Sequence, residues 1–546
     1  MPDFQLGSYK PALLASRRFS WTLLPPALGS LALILLLVVV VDYVRMLQQR
    51  RKLPPGPFPF PLIGNHLAIP KVKPWLAWEK WAAHYNDPLL TLWVGRKPTI
   101  IVNDAWSASD LLEKRDKLYS SRPHIIVMGD MLNQTETNQT CAVYGDHWRL
   151  HRRLTHTVVG SQAVRGHYSV QANESKILTR NLMDDATTYV MSIERYSISV
   201  VSIIGWGRRI DRMNDYIAQT ALKFMESVDY IVPGAFWMES IPQLARLPSW
   251  IYPLPSAIFN GAKHTQRYFY QLSKEAAQKP GDNFAKTIIK GQQEYGLADE
   301  DVAGLTANLI GGGVDTTSSS IITTILAMCA FPEAQREAHE ELDRVVGRDR
   351  SPALSDETSL PYISAIVEEA LRWRTVTVLG GIPHAPTHDD VYRGFHIPAG
   401  TPIIGNVWAI HRHPREFPDP DVFRPERFLN GPERRPYPNK KGHNAFGWGR
   451  RQCSGQPLAQ QGLLLTIARL LWAFDMKPGL DESGNQVRLD VFAYTKSENM
   501  RPEPFPARFT PRSEKIAEII RDEAERAREA LRIYDGETKL TMENVP

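Results

Sequence analysis

The 546-residue chain has 43% hydrophobic and 10% aromatic residues, enough for a large buried core, which excludes wholesale disorder. Its formal net charge of +5 is too small over this length to indicate nucleic-acid binding. The three cysteines, Cys141, Cys329 and Cys453, form no CxxC pair, which excludes a disulfide scaffold and a zinc ribbon. So few cysteines fit a reducing compartment, where a functional cysteine would act as a metal ligand or a nucleophile.

A charge-free, strongly apolar run at residues 19–41 follows a short N-terminal segment, 1–18. A helix of this length would be roughly 34 Å long, enough to cross the hydrocarbon core of a bilayer. The alternative is a cleaved signal peptide, but the run is long and no A-x-A cleavage pattern follows it. We therefore predict a single transmembrane anchor. More basic residues follow the run than precede it, which favours a cytosolic remainder.

The segment 42–61 is basic at its start and rich in proline at its end. Five prolines in the sequence LPPGPFPFPLIG at 53–64 fix the backbone angle φ and remove backbone hydrogen-bond donors. We therefore expect a stiff, extended hinge between the anchor and the globular part of the chain.

The body of the chain, residues 62–511, contains neither an internal repeat nor a second linker of this kind, and we predict one domain. Apolar residues recur at helical spacing in 334–346 and 360–373, whereas 463–474 is apolar nearly all round, which predicts a buried helix. Short runs typical of strands lie at 90–94, 99–102 and 402–407. Because helix exceeds strand, we predict a mainly α fold with small β-sheets, in the α+β class.

The C-terminal tail, residues 512–546, is highly charged. Its part 513–534 carries a thin apolar stripe at helical spacing. The stripe consists of Ile516, Ile520, Ala524, Ala527 and Leu531. We interpret the segment as a terminal helix that docks lightly on the body with a solvated outer face; the alternative is a helix that binds a partner.

Cys453 lies in the sequence FGWGRRQCSG at 446–455, just before a largely apolar run. The glycines permit a tight turn and close backbone approach. At a helix N-terminus the cysteine would meet backbone N–H groups, and Arg450 and Arg451 add positive charge; both effects favour thiolate over thiol. Such a turn suits a metal-ligating sulfur, and the alternative is an inert buried cysteine in a plain turn. Gln452 stands where a dinucleotide-binding loop needs its third glycine, which excludes that motif.

Four motifs occur together in one order along the chain. They are GGVDTT at 312–317, EALR at 369–372, PERF at 425–428 and the pattern F-x-x-G-x-R-x-C-x-G at 446–455. ExxR alone carries little information, since such spacing recurs by chance in helical proteins. Behind an apolar anchor and a proline-rich hinge, the four motifs make the chain resemble the cytochrome P450 family over nearly its whole length, the C-terminal tail excepted. The sequences IPHA at 382–385 and NVWAIH at 406–411 resemble those of fungal microsomal members of secondary metabolism.

The resemblance implies a haem b cofactor whose iron is ligated by the thiolate of Cys453. Phe446 would pack beside the sulfur and tune the potential of the iron. The residues that would contact the haem propionates are Trp148, Arg152 and Arg451. The first two are four positions apart and therefore share a helix face. His384 is a weaker candidate for the same role, and its alternative is an ordinary polar strand residue.

The resemblance also implies a buried structural group formed by Glu369, Arg372 and Arg427. Glu369 and Arg372 are three positions apart on a predicted helix and face together, and removal of one partner would leave a buried charge uncompensated. We assign this group to the core beneath the haem and not to catalysis.

The segment 306–329 resembles the family's long central helix over the distal face of the haem. Its glycines at 311–313 are costly inside a helix, at roughly 0.5–1 kcal/mol each relative to alanine. Two explanations are open: room for dioxygen, or close packing against another helix. Asp315 and Thr316 match the family's acid–alcohol pair, which implies proton delivery at the distal face by general acid catalysis.

By family topology, apolar residues of four segments would line the substrate pocket. They are Ile125, Ile126, Val127, Met128, Val376, Val378, Leu379, Phe492 and Tyr494. An apolar pocket of this kind suits a small organic substrate, for which we expect a polyketide-derived aromatic phenol of fungal secondary metabolism.

No flavin or iron–sulfur motif is present in the sequence, so electrons would come from NADPH through a separate flavoprotein, an NADPH-cytochrome reductase. A basic proximal surface would raise the rate of encounter with an acidic partner. Its residues are Arg434, Arg435, Lys440, Lys441, Arg450 and Arg451. The other expected partners are O₂, a small hydrophobic substrate and the lipid bilayer, and no nucleic acid is expected.

These features predict a haem-thiolate monooxygenase, anchored by one helix in the endoplasmic reticulum membrane with its catalytic domain in the cytosol. The first alternative is a haem-thiolate isomerase or dehydratase that needs no O₂; Asp315 and Thr316 argue against it, because such enzymes need no proton relay. The second is a membrane-anchored haem carrier or sensor without turnover, which the same pair and the apolar pocket disfavour.

Overall fold

The computed structural model describes residues 26–225, 232–430 and 435–546. The predicted N-terminal segment 1–18, the first part of the predicted anchor at 19–25, and Arg434 of the predicted basic surface lie outside the described residues. The chain divides into two compact units, residues 1–51 and residues 52–546.

The first unit contains helix α1 (Pro26–Arg50). Its stretch Gly29–Arg50 has a mean hydropathy of 2.3 and is long and apolar enough to cross a membrane. Leu33 and Leu37 expose 67% and 62% of their surface, as expected for a helix that would face lipid. The helix continues past residue 41 through the start of the predicted hinge, because neither glycine nor proline interrupts the chain between 42 and 50.

The second unit is mainly helical. Its longer and shorter helices, in chain order, are α2 (Pro74–Tyr85), α3 (Ala105–Ser109), α4 (Asp116–Tyr119), α5 (Gln134–Thr137), α6 (Asp146–Val159), α7 (Tyr168–Asp184), α8 (Tyr189–Trp206), α9 (Tyr216–Met225), α10 (Trp237–Ser240), α11 (Leu254–Ala277), α12 (Phe284–Gly291), α13 (Asp299–Ala330), α14 (Pro332–Val345), α15 (Pro361–Trp373), α16 (Val407–Ile410), α17 (Gln456–Ala473) and α18 (Glu514–Leu531). The strands are β1 (Leu89–Val94), β2 (Lys97–Val102), β3 (Asp390–Tyr392), β4 (Phe395–Ile397), β5 (Ile403–Gly405), β6 (Phe474–Pro478) and β7 (Ala507–Pro511).

The strands form three small sheets. β1 pairs antiparallel with β2, and β2 pairs parallel with β5, with Ile100 opposite Ile403. β3 pairs with β4, and β6 pairs with β7, both antiparallel. The predicted strand at 402–407 is shorter than expected, because the Asn406 side chain accepts a hydrogen bond from the Ala409 N–H and so begins α16. The predicted class, mainly α with small sheets, is confirmed.

Helix α13 runs through the core and is buried over most of its length. It packs against α8, α11 and α17. α17 contains the predicted buried segment at 463–474 and begins at Gln456, close to the helix start near Leu458 that we predict after the cysteine turn; Pro457 is favourable in its first turn. Its N-terminus therefore lies directly after the segment that carries Cys453.

Helix α18 buries the whole apolar stripe predicted for the C-terminal tail. Ile516 and Ile520 are almost fully buried, and the helix packs along α7. Arg469 Nη1 donates to Glu523 Oε2 at 2.6 Å, which adds a largely buried ion pair between α17 and α18. The helix is therefore docked more closely than the sequence analysis expects, and its stripe is not free to bind a partner.

Replacing Ile520 with alanine is expected to lower the free energy of unfolding by about 2–5 kcal/mol, because a fully buried side chain is truncated and a cavity is left. Urea unfolding of the haem-loaded protein measures this loss. Glu518→Ala changes an exposed side chain on the same helix and should leave the unfolding midpoint nearly unchanged. Equal midpoints for both variants would show that α18 does not stabilise the body.

Candidate haem-binding site

A tight turn presents Cys453 directly before the N-terminus of α17. The Cys453 N–H donates to the Phe446 carbonyl oxygen at 2.9 Å, which closes the turn. Gly447 and Gly449 have φ values of +76° and +52°, which side chains disfavour. A Cβ at Gly449 would also lie 2.4 Å from the Leu112 carbonyl oxygen. Gly447 and Gly449 are thus required by the path of the backbone.

The sulfur of Cys453 experiences opposing electrostatic effects. The side chain is solvent-accessible but has protein on most sides, and this burial raises the pKa of the thiol. The N–H groups of Gly455 and Gln456 and the charge of Arg152 act in the opposite direction. The cation that acts on the sulfur is therefore Arg152, whereas the sequence predicts Arg450 and Arg451 in this role. Burial is the largest of these effects, so it favours the thiol form of Cys453 over the thiolate.

Arg451 points into the protein and lies over the ring of Trp148, with its guanidinium carbon 4.4 Å from the ring centroid. The guanidinium donates to the carbonyl oxygens of Ser120, Gln139 and Ala142 at 2.6, 3.0 and 2.6 Å. Burial, followed by the positive charge of Arg122, lowers the pKa of Arg451 to about 8. Arg451 and Trp148 therefore form one packed unit two residues before Cys453.

Arg152 lies one turn after Trp148 on α6. Its Nη1 donates to Ser454 Oγ at 2.6 Å and its Nη2 to the Gln452 carbonyl oxygen at 2.5 Å. Burial lowers the pKa of Arg152, and the nearby Cys453 acts against this change. The two side chains predicted as a pair on α6 thus both reach the cysteine segment.

Arg122 is a buried cation that the sequence analysis does not identify. Its Nε donates to the Thr140 carbonyl oxygen at 2.8 Å and its Nη1 to the Ile382 carbonyl oxygen at 2.6 Å. Burial lowers its pKa to about 10. Burial and then the charge of Arg122 lower the pKa of His384 well below its ordinary value, so this ring is neutral; its Nδ1 lies 2.9 Å from the Tyr119 carbonyl oxygen.

Three arginines lie close together: Arg122 and Arg451, which are buried, and Arg152, which is half-buried. The charge of Arg152 lowers the pKa of Arg122, and the charges of both lower the pKa of Arg451. Within the described part of the chain, none of them forms an ion pair with an acidic side chain. Buried charges of one sign without counter-charge are unfavourable and are found where an anionic group binds. The set fits haem, because its two propionates would supply the missing carboxylates and Cys453 would supply a sulfur ligand.

Two adjacent glycines of α13 serve different purposes. Gly312 is exposed within an otherwise buried helix, and a Cβ there would meet no atom within 4 Å. At Gly313 a Cβ would lie 2.3 Å from Cγ1 of Val201 on α8. Gly312 therefore faces open space, and Gly313 allows close packing of α13 against α8. Each of the two explanations given for the glycines applies to one of these residues. Thr316 Oγ1 donates to the Gly312 carbonyl oxygen at 2.7 Å beside the open position.

The same substitution at these two positions is expected to have opposite effects. Gly313→Ala should lower the free energy of unfolding by about 1–3 kcal/mol, because the β-branched Val201 has little freedom to move away. Gly312→Ala should raise it by about 0.5–1 kcal/mol, because alanine is the better helix former and the new methyl group meets no atom. Paired urea unfolding curves measure both. Equal destabilisation at the two positions would contradict the assignment of open space to Gly312.

Asp315 is largely buried, and burial raises the pKa of its carboxyl group. The charge of Arg501 and a hydrogen bond with Asn499 oppose this shift, and Glu194 adds to it. Arg501 is itself paired closely with Glu194, and Ser319 Oγ donates to Asp315 Oδ1 at 3.4 Å. Asp315 is therefore connected to a polar group drawn from α8 and the 499–501 segment, which no local motif could reveal.

The predicted structural group comes together in the core. Arg372 donates from Nε and Nη2 to both carboxylate oxygens of Glu369 at 2.8 and 2.6 Å, and neither side chain is exposed. Arg427 Nε lies 3.6 Å from Glu369 Oε1. Arg372 Nη1 also donates to the carbonyl oxygens of His411 and Pro420 at 3.2 and 2.8 Å. The group thus joins α15 to the segment that follows α16.

The residues predicted to line a substrate pocket do not form one group. Ile126 and Val127 pack in an apolar cluster apart from the main core. Tyr494 is buried, with its hydroxyl 3.4 Å from Thr323 Oγ1. Phe492 exposes 52% of its surface. Phe492 lies on an exposed turn. Its apolar character alone could not predict this, because the residues that line a pocket are set by tertiary packing.

The predicted basic proximal surface is only partly exposed. Among its described members, Arg435 and Lys440 are exposed, Lys441 and Arg450 are half-buried, and Arg451 is buried. Arg450 Nε donates to Asp116 Oδ2 at 2.8 Å, which offsets its charge. The exposed positive charge of this surface is therefore smaller than the sequence suggests.

The chain is similar in sequence to one protein family and to several fungal proteins. The family model described as "Cytochrome P450" matches residues 54–499. A cytochrome P450 monooxygenase of Armillaria gallica is 34% identical over 518 residues, covering 90% of this chain and 97% of its own. Cytochrome P450 monooxygenase 105 of Postia placenta is 34% identical, covering 90% and 95%, and cytochrome P450 monooxygenase virE of Hypocrea virens is 33% identical, covering 86% and 88%.

Proposed function

Because this chain belongs to the cytochrome P450 family, with haem and a cysteine thiolate ligand, and is an oxygen-incorporating oxidoreductase, we propose that it hydroxylates a small aromatic substrate with electrons from NADPH. We assign the thiolate ligand to Cys453. The observation that carries this assignment is one cysteine at a helix N-terminus together with Arg122, Arg152 and Arg451, three buried or half-buried arginines with no carboxylate partner among the described residues.

Bound haem supplies the activation of dioxygen, and a thiolate ligand favours O–O cleavage by donating electron density. Arg152 and Arg451 would bind the propionates, with Trp148 holding the Arg451 guanidinium in place. His384 and Arg122 would complete the polar surroundings of the carboxylates. The Phe446 carbonyl oxygen accepts the Cys453 N–H, which holds the turn that carries the sulfur.

On the distal side, Asp315 and Thr316 would hold and transfer protons. Thr316 Oγ1 donates to the Gly312 carbonyl oxygen, and rotation about its χ1 angle would turn the hydroxyl toward the space beside Gly312. Because burial raises its pKa, the Asp315 carboxyl keeps its proton to higher pH than an exposed aspartate would. These are the properties of a general acid that serves a site shielded from water.

We further propose that the redox partner is an NADPH-dependent flavoprotein reductase and that the chain is anchored by α1 in the endoplasmic reticulum membrane, with the body in the cytosol. The length and apolar surface of α1 support an anchor. Arg435 and Lys440 supply exposed positive charge that suits an acidic partner. Buried apolar residues such as Val378 and Leu379 favour an apolar substrate, which is compatible with a polyketide-derived phenol.

The test is turnover by the haem-loaded full chain with a reductase, NADPH and a panel of phenols under isotopically labelled dioxygen. We expect a hydroxylated product that carries the label and requires NADPH. A product formed without O₂ and NADPH would instead indicate an isomerase or dehydratase. Substrate binding without any product, in a preparation with a complete haem spectrum, would favour a haem carrier or sensor. Thr316→Ala serves as the control with an impaired distal side.

A further inference from the structure

A cluster of two histidines and one carboxylate lies at the meeting point of α6 and α13, and the haem assignment uses none of them. His147 and His151 are four residues apart on α6 and share one face of the helix. Asp301 lies in the first turn of α13. Its Oδ1 is 3.1 Å from His147 Nε2 and 3.3 Å from His151 Nε2. All three potential ligand atoms lie within 4.8 Å of one another.

The His151 side chain has no exposed surface, yet neither of its ring nitrogens has a hydrogen-bond partner in the described part of the chain. Nε2 is close to Asp301 Oδ1, but the two atoms are not aligned as donor and acceptor. Buried polar atoms are nearly always paired, and beside two other potential metal ligands an unpaired ring nitrogen points to a missing partner. Two atoms that bind a common ion point toward the ion and not toward each other, and the lack of donor–acceptor alignment between Nε2 and Oδ1 is compatible with such an ion.

His151 Nε2 and Asp301 Oδ1 have no hydrogen bond to other groups in the described part of the chain, whereas His147 Nε2 would give up one hydrogen bond to bind an ion. Asp301 Oδ2 accepts the Ala298 N–H at 2.9 Å, so Oδ1 is the oxygen that faces the histidines. His147 Nε2 lies 2.8 Å from the Glu136 carbonyl oxygen, and 46% of the His147 side chain is exposed, which provides a path from solvent. One side of the cluster is therefore buried and fixed by packing, and the other is open.

The distances from Asp301 Oδ1 to the two histidine nitrogens match a tetrahedral transition-metal site. Zinc binds histidine nitrogen and carboxylate oxygen at about 2.0–2.1 Å, which places neighbouring ligand atoms of a tetrahedron roughly 3.3 Å apart. The observed 3.1 and 3.3 Å agree with this value. Calcium would need six to eight oxygen ligands, and this cluster offers two nitrogens.

We propose that His147, His151 and Asp301 bind one zinc-class divalent ion, with a water molecule in the fourth position, and that this ion ties α6 to the N-terminus of α13. α6 carries Trp148 and Arg152, and α13 carries Asp315 and Thr316. The ion would thus fix the relative position of the two helices that supply the proximal and distal candidate residues, without contacting the substrate or the haem.

The test uses the haem-loaded full chain with any affinity tag removed and with zinc as the probe. Equilibrium dialysis should give one tightly bound zinc per chain, and X-ray absorption at the zinc edge, which haem iron does not obscure, should show two imidazole ligands. His147→Ala and Asp301→Asn should each weaken binding at least about 100-fold, since loss of an outer partner alone weakens metal sites 10–100-fold. Zinc should raise the unfolding temperature of the parent protein and not of these variants.

His156→Ala is the matched control, because it removes an exposed histidine from the same helix outside the cluster. It should keep the affinity and the spectrum of the parent protein. The haem absorption of every variant shows whether it has folded, and the half-exposed position of His147 makes its removal tolerable. Equal zinc affinity in the parent protein and in correctly folded His147→Ala and Asp301→Asn, or an absorption spectrum without imidazole, would overturn the proposal.

Discussion

Replacing Arg372 with leucine is expected to be the most destructive single change in the body of the chain. Both charged side chains of the pair are fully buried, so the substitution leaves the Glu369 carboxylate without its bidentate partner. Removing one partner of a buried pair typically costs about 3–5 kcal/mol, a large part of the roughly 5–15 kcal/mol that stabilises a typical domain. Little of the expressed protein should therefore contain haem, and the urea midpoint of what remains should fall strongly.

Arg336→Leu provides a matched control for this experiment. Arg336 contacts Glu333 and Glu340 on the exposed face of α14, so the same substitution removes ion pairs that water screens. We expect the haem content and the midpoint of this variant to stay close to those of the parent protein. If Arg372→Leu behaved like Arg336→Leu, the assignment of the buried pair to the stability of the core would be wrong.

The second large effect is expected for Asp315→Asn, which keeps the shape of the side chain and removes its exchangeable acid. General acid catalysis typically contributes 10²–10⁴-fold, so oxygen insertion should slow by about this factor while substrate still binds. Burial raises the pKa of Asp315, so the parent enzyme should lose this step as the pH rises through that value. The variant should lack this limb of the pH profile, which stopped-flow and product assays can measure.

Ser319→Ala is the control for Asp315→Asn, because it removes the neighbour that donates to Asp315 Oδ1 and leaves the acid in place. We expect a small change in rate and a pH profile that keeps its limb, displaced toward higher pH, because the lost hydrogen bond lowers the pKa of Asp315 in the parent protein. A full rate for Asp315→Asn, with product still formed in step with NADPH consumption, would exclude Asp315 as the proton donor.

The sequence predicts those parts of the site that depend on local spacing. The turn at Cys453 follows from its glycines, and the Glu369–Arg372 contact follows from three-residue spacing on a helix, because both depend on residues close together in the chain. Likewise, the apolar stripe of α18 is visible from its period. Helix α1 extends to Arg50 because the nearest breakers lie beyond it, although charge suggests an earlier end.

Long-range packing accounts for what the sequence could not predict. Arg451, which the sequence assigns both to the propionates and to the basic surface, turns inward, where the carbonyl oxygens of Ser120, Gln139 and Ala142 accept its N–H groups. Arg122 and Arg501 come from segments far from the motifs in sequence and carry no pattern of their own. The different roles of Gly312 and Gly313 depend on Val201, which belongs to another helix. In each case the deciding neighbour is distant in the chain.

The most direct test of the central claim is the absorption spectrum of the purified, haem-loaded chain in its reduced form with carbon monoxide. Ligation by Cys453 predicts the strongly red-shifted band of a thiolate-bound haem for the parent protein. It also predicts an imidazole-type band, or no bound haem, for Cys453→His. A parent protein that binds no haem, or whose carbon monoxide complex has the spectrum of an imidazole-bound haem, would contradict the account.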